Sequence, residues 1–182
     1  NHLIRSALLS KLKNPRFAYI APTFKQAKSI AWDYMKQFTA KIPHTKFNET
    51  ELRVDLPNGS RITLLGSESP DGLRGIYLDG CVIDEYANVN SKLFPEIIRP
   101  ALSDRKGYCV FIGTPMGMNN NFYELYQHAQ GAEDWFNYKA KASDTKIVDN
   151  DELVKAKEVM GEKKYQQEFE CDWIANIEGA VY

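Results

Sequence analysis

Cys81-Val82-Ile83-Asp84-Glu85 is an apolar run that ends in two adjacent carboxylates. A short continuous apolar run is how a parallel strand buried on both faces reads, and the carboxyl ends of such strands are where α/β folds place their chemistry. Tyr77-Leu78 extend the run upstream and predict a strand over 77–83. Two acids at such a strand end can divide the work of phosphoryl chemistry. Asp84 suits Mg²⁺ held through its water shell, and Glu85 suits the base that orients and deprotonates a water attacking a γ-phosphate. A strand that simply runs out into an exposed acidic turn carries the same pair, so these two residues alone leave both readings open.

A second apolar run, Tyr108-Cys109-Val110-Phe111-Ile112, ends in the small-residue turn Gly113-Thr114-Pro115. Asp84 and Gly113 are 113 − 84 = 29 residues apart, close to the roughly 30 that a strand, a crossover helix and a parallel strand require. Between them, Ser91 to Leu102 places Leu93, Phe94, Ile97, Ile98, Ala101 and Leu102 at helical spacing, with Pro95 in the first turn. Neighbouring parallel strands would set Gly113 and Thr114 beside the two acids, with a hydroxyl near the γ-phosphate. An ordinary strand-to-loop exit reads the same way. Upstream, Gly66 to Gly75 surrounds Arg74 with glycines. Such a loop suits a guanidinium presented to phosphate oxygens, and it equally suits a solvated arginine.

Ala21-Pro22-Thr23-Phe24-Lys25-Gln26-Ala27, Gly72-Leu73-Arg74-Gly75, Val82-Ile83-Asp84-Glu85-Tyr86-Ala87 and Gly113-Thr114-Pro115 occur in that order. Together they resemble the ATPase domain of a tailed-phage terminase large subunit, with 82–85 as its Walker B strand. Phe169-Glu170-Cys171-Asp172-Trp173 followed by Gly179-Ala180-Val181-Tyr182 is similar to the segment joining that ATPase to its nuclease. The resemblance implies an α/β fold of the P-loop NTPase, additional-strand catalytic-glutamate type, with a mostly parallel sheet and helices on both faces. It implies an ATPase domain over 1–168 and a linker over 169–182. The implied cofactors are ATP and Mg²⁺, bound through Asp84, Gly113 and Thr114, with Asp84 as the metal ligand. Glu85 is implied as the catalytic base, Thr114 as the group coupling γ-phosphate release to movement, and Arg74 as an arginine finger. The implied partners are double-stranded DNA, the portal protein, the small terminase subunit and further copies of the chain in a ring, in the host cytoplasm.

One family feature is missing. No Gly-x-x-x-x-Gly-Lys-Ser/Thr occurs in the 182 residues, and ten of the eleven glycines lie at or after Gly66. The groups that cradle the phosphates are therefore not provided by that motif here. His2 to Lys13 carries Leu3, Ile4, Ala7, Leu8 and Leu12 at helical spacing, and in the family such a helix follows the phosphate loop. The expectation is a chain that begins just after its own Walker A segment, lacks the strand before it, exposes apolar surface there, and hydrolyses ATP weakly or not at all by itself.

At 43% hydrophobic and 12% aromatic, 182 residues can bury a substantial core. No run of about 18 apolar residues is present, so no membrane span is expected, and no cleavable leader is visible. Cys81, Cys109 and Cys171 are odd in number and widely spaced, which reads as buried thiols and not as disulfides or zinc ligands. A net charge of −1 is no nucleic-acid signature, so a DNA partner must rest on local lysines such as Lys25, Lys28, Lys139, Lys141, Lys163 and Lys164. Those residues also suit a solvated face. A helicase-like translocase and a non-enzymatic interaction remnant are the rival functions.

The remaining pattern alternates. A strand is predicted over 17–21, then a helix from Lys25 to Ala40 with Ala27, Ile30, Ala31, Tyr34, Met35 and Phe38 on its inner face. Glu51 to Leu56, a Pro57-Asn58-Gly59-Ser60 turn and Arg61 to Leu65 read as a hairpin. A helix over 122–129, an edge strand over 136–142 and a charged helix over 152–170 broken at Gly161 complete the expectation.

Overall fold

The structure is a computed structural model that describes residues 1–174. Its centre is a six-stranded sheet in the order β2-β3-β4-β1-β5-β6. The strands are β1 (Arg16–Ala21), β2 (Lys46–Asn48), β3 (Arg53–Asp55), β4 (Arg61–Gly66), β5 (Gly80–Ile83) and β6 (Tyr108–Phe111). β1 lies parallel to both β4 and β5, and β5 lies parallel to β6. The β2-β3-β4 side is antiparallel, so the sheet is mixed, with its parallel half where the apolar runs placed it.

The two faces are covered separately. Because side chains alternate along a strand, Phe17, Tyr19 and Ala21 share a face with Ile62, Leu64 and Val82, and this face packs against the N-terminal helix His2–Leu9 and the helix over 24–39. On the opposite face, Ile83 and Phe111 stand in register, and the Phe111 ring meets that of Phe94 at 4.8 Å. Phe94 belongs to the crossover helix, which begins as a π-helical stretch Leu93–Ile98 and continues as Arg99–Ser103. Fully burying each Ile, Leu or Val here contributes roughly 1.5–3 kcal/mol, which makes the parallel centre the most strongly held part of the sheet. Gly80 is required at its place in β5, since a Cβ there would come within 2.4 Å of the Tyr108 ring.

The helix over 24–39 departs from its expected orientation. Its buried residues are Ala27, Trp32, Met35 and Thr39, whereas Ile30, Tyr34 and Phe38 are exposed. The cause is a π-helical turn, Lys28–Trp32, whose extra residue separates Ala27 from Trp32 by five positions and resets the inward face for the rest of the helix. Trp32 is 2% exposed and its Nε1 donates to Glu49 Oε2 at 2.7 Å. The helix starts where predicted, with Thr23 Oγ1 accepting from the Gln26 N–H at 3.1 Å.

Other expectations are trimmed or corrected. The first helix stops at Leu9 because Ser10 turns to an extended conformation, which leaves Leu12 exposed. Tyr77 and Leu78 precede β5 instead of belonging to it, the Tyr77 hydroxyl donating to the Asn14 carbonyl at 3.0 Å. The edge strand expected over 136–142 does not form. Phe136 and Tyr138 are 88% and 71% exposed, so no buried face holds a strand here, and Ala142 opens the short helix Ala142–Thr145. The three cysteines are free thiols, but of the expected buried thiols only Cys81 is buried, Cys109 and Cys171 being half-buried, and burial pushes the Cys109 thiol pKa upward.

The chain divides into two compact units, 1–112 and 113 onward. The second contains the helices Asn121–Ala129, Ala142–Thr145, Asn150–Met160 and Glu162–Glu170, the last two separated at Gly161 as the sequence indicates. Within it, Phe122, Tyr123 and Tyr126 surround the buried Trp173 at ring separations of 5.3, 5.3 and 5.4 Å. The Gly179-to-Tyr182 part of the expected linker lies outside the described residues. Among the described residues, no helix is long and apolar enough to cross a membrane.

Candidate functional site

The carboxyl end of β5 is where the sheet sets its two acids. The Asp84 N–H continues the parallel ladder by donating to the Ile20 carbonyl at 2.8 Å, and Ile112 N–H donates to the Ile83 carbonyl at 2.9 Å on the other side. Ile83 is fully buried and tied to both neighbours, so Asp84 leaves the sheet from a fixed point. Its side chain is fixed as well. Oδ1 accepts the Glu85 N–H at 2.9 Å, and Oδ2 accepts the Tyr19 hydroxyl proton.

Glu85 follows in the left-handed region, with φ 49° and ψ 44°. For a non-glycine residue this conformation costs of order 1–3 kcal/mol and persists where surrounding contacts impose it. Those contacts are visible: the N–H bond back to Asp84, the Glu85 carbonyl accepting from Asn88 N–H at 2.8 Å, and Tyr86 N–H donating to the Ile112 carbonyl at 3.0 Å. Tyr86 is buried against Phe111 at 4.8 Å between ring centres. Asn88 Nδ2 lies 3.5 Å from Glu85 Oε2. Both acids are half-buried.

Tyr19 was not singled out by sequence reasoning, although a tyrosine in an otherwise apolar core strand needs a partner for its hydroxyl. The structure shows that partner to be Asp84. Burial, and then the hydrogen bond to Asp84, push the Tyr19 pKa well above its ordinary value, so the phenol remains a donor at working pH. Asn88 is the second residue that sequence reasoning missed.

The other expected site residues stand differently. Gly113 and Thr114 follow Ile112, the residue hydrogen-bonded to both Ile83 and Tyr86, and with them the second unit begins. Both are half-buried. Arg74 is not gathered with the two acids. It ends a 3-10 turn, Pro70–Leu73, with Nε donating to Asp71 Oδ1 at 2.8 Å and Nη2 lying 3.5 Å from Glu96 Oε2, while its side chain is 55% exposed. Hydrogen bonding to Asp71 is the main cause of its raised pKa.

The donor chemistry fits a hard cation. Asp84 offers carboxylate oxygens with lone pairs to spare beyond the two hydrogen bonds it accepts. Among the described residues, no group of three or more His, Cys, Asp or Glu side chains gathers to form a metal cage. Mg²⁺ is commonly held by one or two carboxylates plus waters and substrate phosphates, and a single fixed carboxylate suits that arrangement.

The family described as "Terminase large subunit, T4likevirus-type, N-terminal" matches residues 4–182. Large terminase subunits of Thermus phage G20c and Thermus virus P23-45 are each 30% identical over 126 residues, covering 59% of this chain and 26% of theirs. The chain thus spans about a quarter of the length of the curated relatives it matches. In structure it is similar to the large terminase ATPase domain of Thermus phage P74-26, with a TM-score of 0.72, 21% identity, and coverage of 93% of this chain and 80% of that one. It is also similar to the large terminase of another thermophilic bacteriophage, with a TM-score of 0.78, 14% identity, and coverage of 95% and 44%. A further structure of that second terminase, in complex with ADP, gives a TM-score of 0.77 at 16% identity over 90% of this chain and 42% of that one. At these identities the structural likenesses establish the fold.

Proposed function

The chain belongs to the terminase large-subunit family, and we propose that it carries the catalytic strand of an ATP-hydrolysing motor that drives double-stranded DNA into a preformed capsid. The observation that carries the reading is the pair of acids at the end of β5, with Asp84 fixed through both oxygens and Glu85 held in a left-handed backbone conformation. That geometry separates two tasks between adjacent residues. Asp84 would hold Mg²⁺, which supplies charge neutralisation at the phosphates when bound. Glu85 would orient the attacking water and take its proton, with Asn88 steadying the carboxylate. Thr114, at the exit of the neighbouring strand, would link loss of the γ-phosphate to movement.

Arg74 would complete the site from a neighbouring copy in a ring assembled on the portal protein, with the small terminase subunit delivering DNA. Its exposed pairing with Asp71 and Glu96 supports a guanidinium stored within reach of solvent. The groups that hold the β- and γ-phosphates are not present here as a Gly-x-x-x-x-Gly-Lys-Ser/Thr motif. The 182-residue chain alone is therefore expected to bind Mg²⁺-ATP no more tightly than about millimolar, roughly 4 kcal/mol, by calorimetry.

The test of the reading uses the complete gene product. Glu85→Gln keeps the shape and removes the base, so ATP binding is retained while steady-state turnover falls by about 10²-fold or more, the range for losing a general base. Unchanged turnover would remove Glu85 from this role.

A further inference from the structure

We propose that Tyr19 is a positioning residue for the metal-binding carboxylate, its hydroxyl setting the orientation in which Asp84 meets a divalent cation. The inference rests on the reading that Asp84 holds Mg²⁺. It concerns a different strand from the acids, and no motif points to it.

Three observations meet at Tyr19. First, β1 and β5 are parallel with Tyr19 opposite Val82, so Tyr19 and Asp84 are two residues apart along the strand direction and share a face. Two residues of parallel strand rise about 6.6 Å, a span that a phenol crosses and that a serine or threonine hydroxyl at position 19 does not. Second, the hydrogen bond is made to Oδ2, while Oδ1 is already taken by the Glu85 N–H. One donor would leave the carboxylate free to rotate about its Cβ–Cγ bond; two donors on different oxygens define its plane. Third, Asp84 is the last group of the strand anchored by the parallel ladder, since its own N–H bonds to Ile20, the residue after Tyr19. Main chain and side chain of Asp84 are thus both held by β1.

The consequence is specific to metal affinity. A carboxylate that is already oriented loses little freedom when it enters a coordination sphere, and its remaining lone pairs point in fixed directions. Without the hydroxyl, Asp84 must be ordered by the cation itself. The attacking water is assigned to Glu85 and Tyr19 acts through the Asp84 carboxylate, so its loss should appear in the metal dependence of turnover more than in turnover at saturating metal.

The experiment measures Mn²⁺ binding to the complete gene product with ADP present, by loss of the free-ion signal in electron paramagnetic resonance, for Tyr19→Phe and Asp84→Asn. Tyr19→Phe should weaken Mn²⁺ affinity about tenfold, the scale of a hydrogen bond to a charged acceptor. It should also move the Mg²⁺ midpoint of ATP turnover by the same factor, with the melting temperature held. Asp84→Asn should weaken Mn²⁺ binding further. Unchanged Mn²⁺ affinity in Tyr19→Phe, with the expected loss in Asp84→Asn, overturns the role of Tyr19 alone. Unchanged affinity in Asp84→Asn overturns the metal reading on which it stands. A drop in turnover at saturating metal with affinity intact also overturns it. If Tyr19→Phe melts early, 4-aminophenylalanine at the same position retains the ring and an N–H donor. It must then restore both melting temperature and metal affinity, and failure to restore the affinity rejects the proposal.

Discussion

The end of β5 and the loop that carries Arg74 are held by opposite means. Asp84 is held by a parallel ladder, by two hydrogen bonds to its carboxylate, and by the fully buried Ile83 that precedes it. Arg74 rests on two solvent-facing carboxylates, Asp71 at 86% and Glu96 at 47% side-chain exposure. Exposed pairs of this kind are screened by salt and exchanged for water at small cost. On the proposed reading, the difference separates a part of the site that must not move from a part that can be released. A carboxylate that meets a cation gains when it is already oriented, whereas an arginine delivered to another subunit must be able to leave its resting partners.

The largest effect expected from this contrast is kinetic. Arg74→Ala should leave the melting temperature and nucleotide affinity of the complete protein nearly unchanged while assembly-stimulated ATP turnover falls by about 10³-fold, the scale of an arginine finger. A comparable loss in the unassembled protein would make Arg74 a residue of its own subunit's site. The reverse profile is expected at the strand. Ile83→Ala should destabilise the fold by about 2–5 kcal/mol in denaturant titration, the cost of emptying a buried site of this size. A loss well below that range would mean that β5 is less firmly held than its packing indicates. The smallest effect belongs to the partners of Arg74. Glu96→Gln should not change the melting temperature, and it should raise stimulated turnover modestly, by freeing the guanidinium. A clear drop in melting temperature would show that the pair is structural.

Much of this contrast was legible in the residue order. The apolar runs and the 29-residue interval between Asp84 and Gly113 located two adjacent parallel strands, because few arrangements other than a crossover fit that length. The Pro57-Asn58-Gly59-Ser60 turn similarly located β3 and β4, and Gly161 marked the break between two helices. What escaped was whatever depends on geometry between distant residues. Tyr19 reads as one more apolar position in Phe17-Ala18-Tyr19-Ile20, and only the register against Val82 reveals that its hydroxyl reaches Asp84. The inner face of the helix over 24–39 escaped for a local reason. Its π-helical turn has no proline or glycine to announce it, so a uniform 3.6-residue period turned Ile30, Tyr34 and Phe38 inward when they point out. Phe136 and Tyr138 show the converse error, where an edge strand was expected and the residues lie exposed.

The sharpest measurement combines the two halves of the site in one assembly. Subunits bearing Glu85→Gln retain Arg74, and subunits bearing Arg74→Ala retain Glu85, so each supplies what the other lacks. If the fixed carboxylates of one copy work with the releasable arginine of the next, assemblies formed from mixtures of the two inactive proteins regain DNA-stimulated ATP turnover, with a maximum at intermediate ratios. If turnover stays at the level of the separate variants at every ratio, the arginine and the carboxylates do not meet across a subunit boundary, and the division of the site proposed here is wrong.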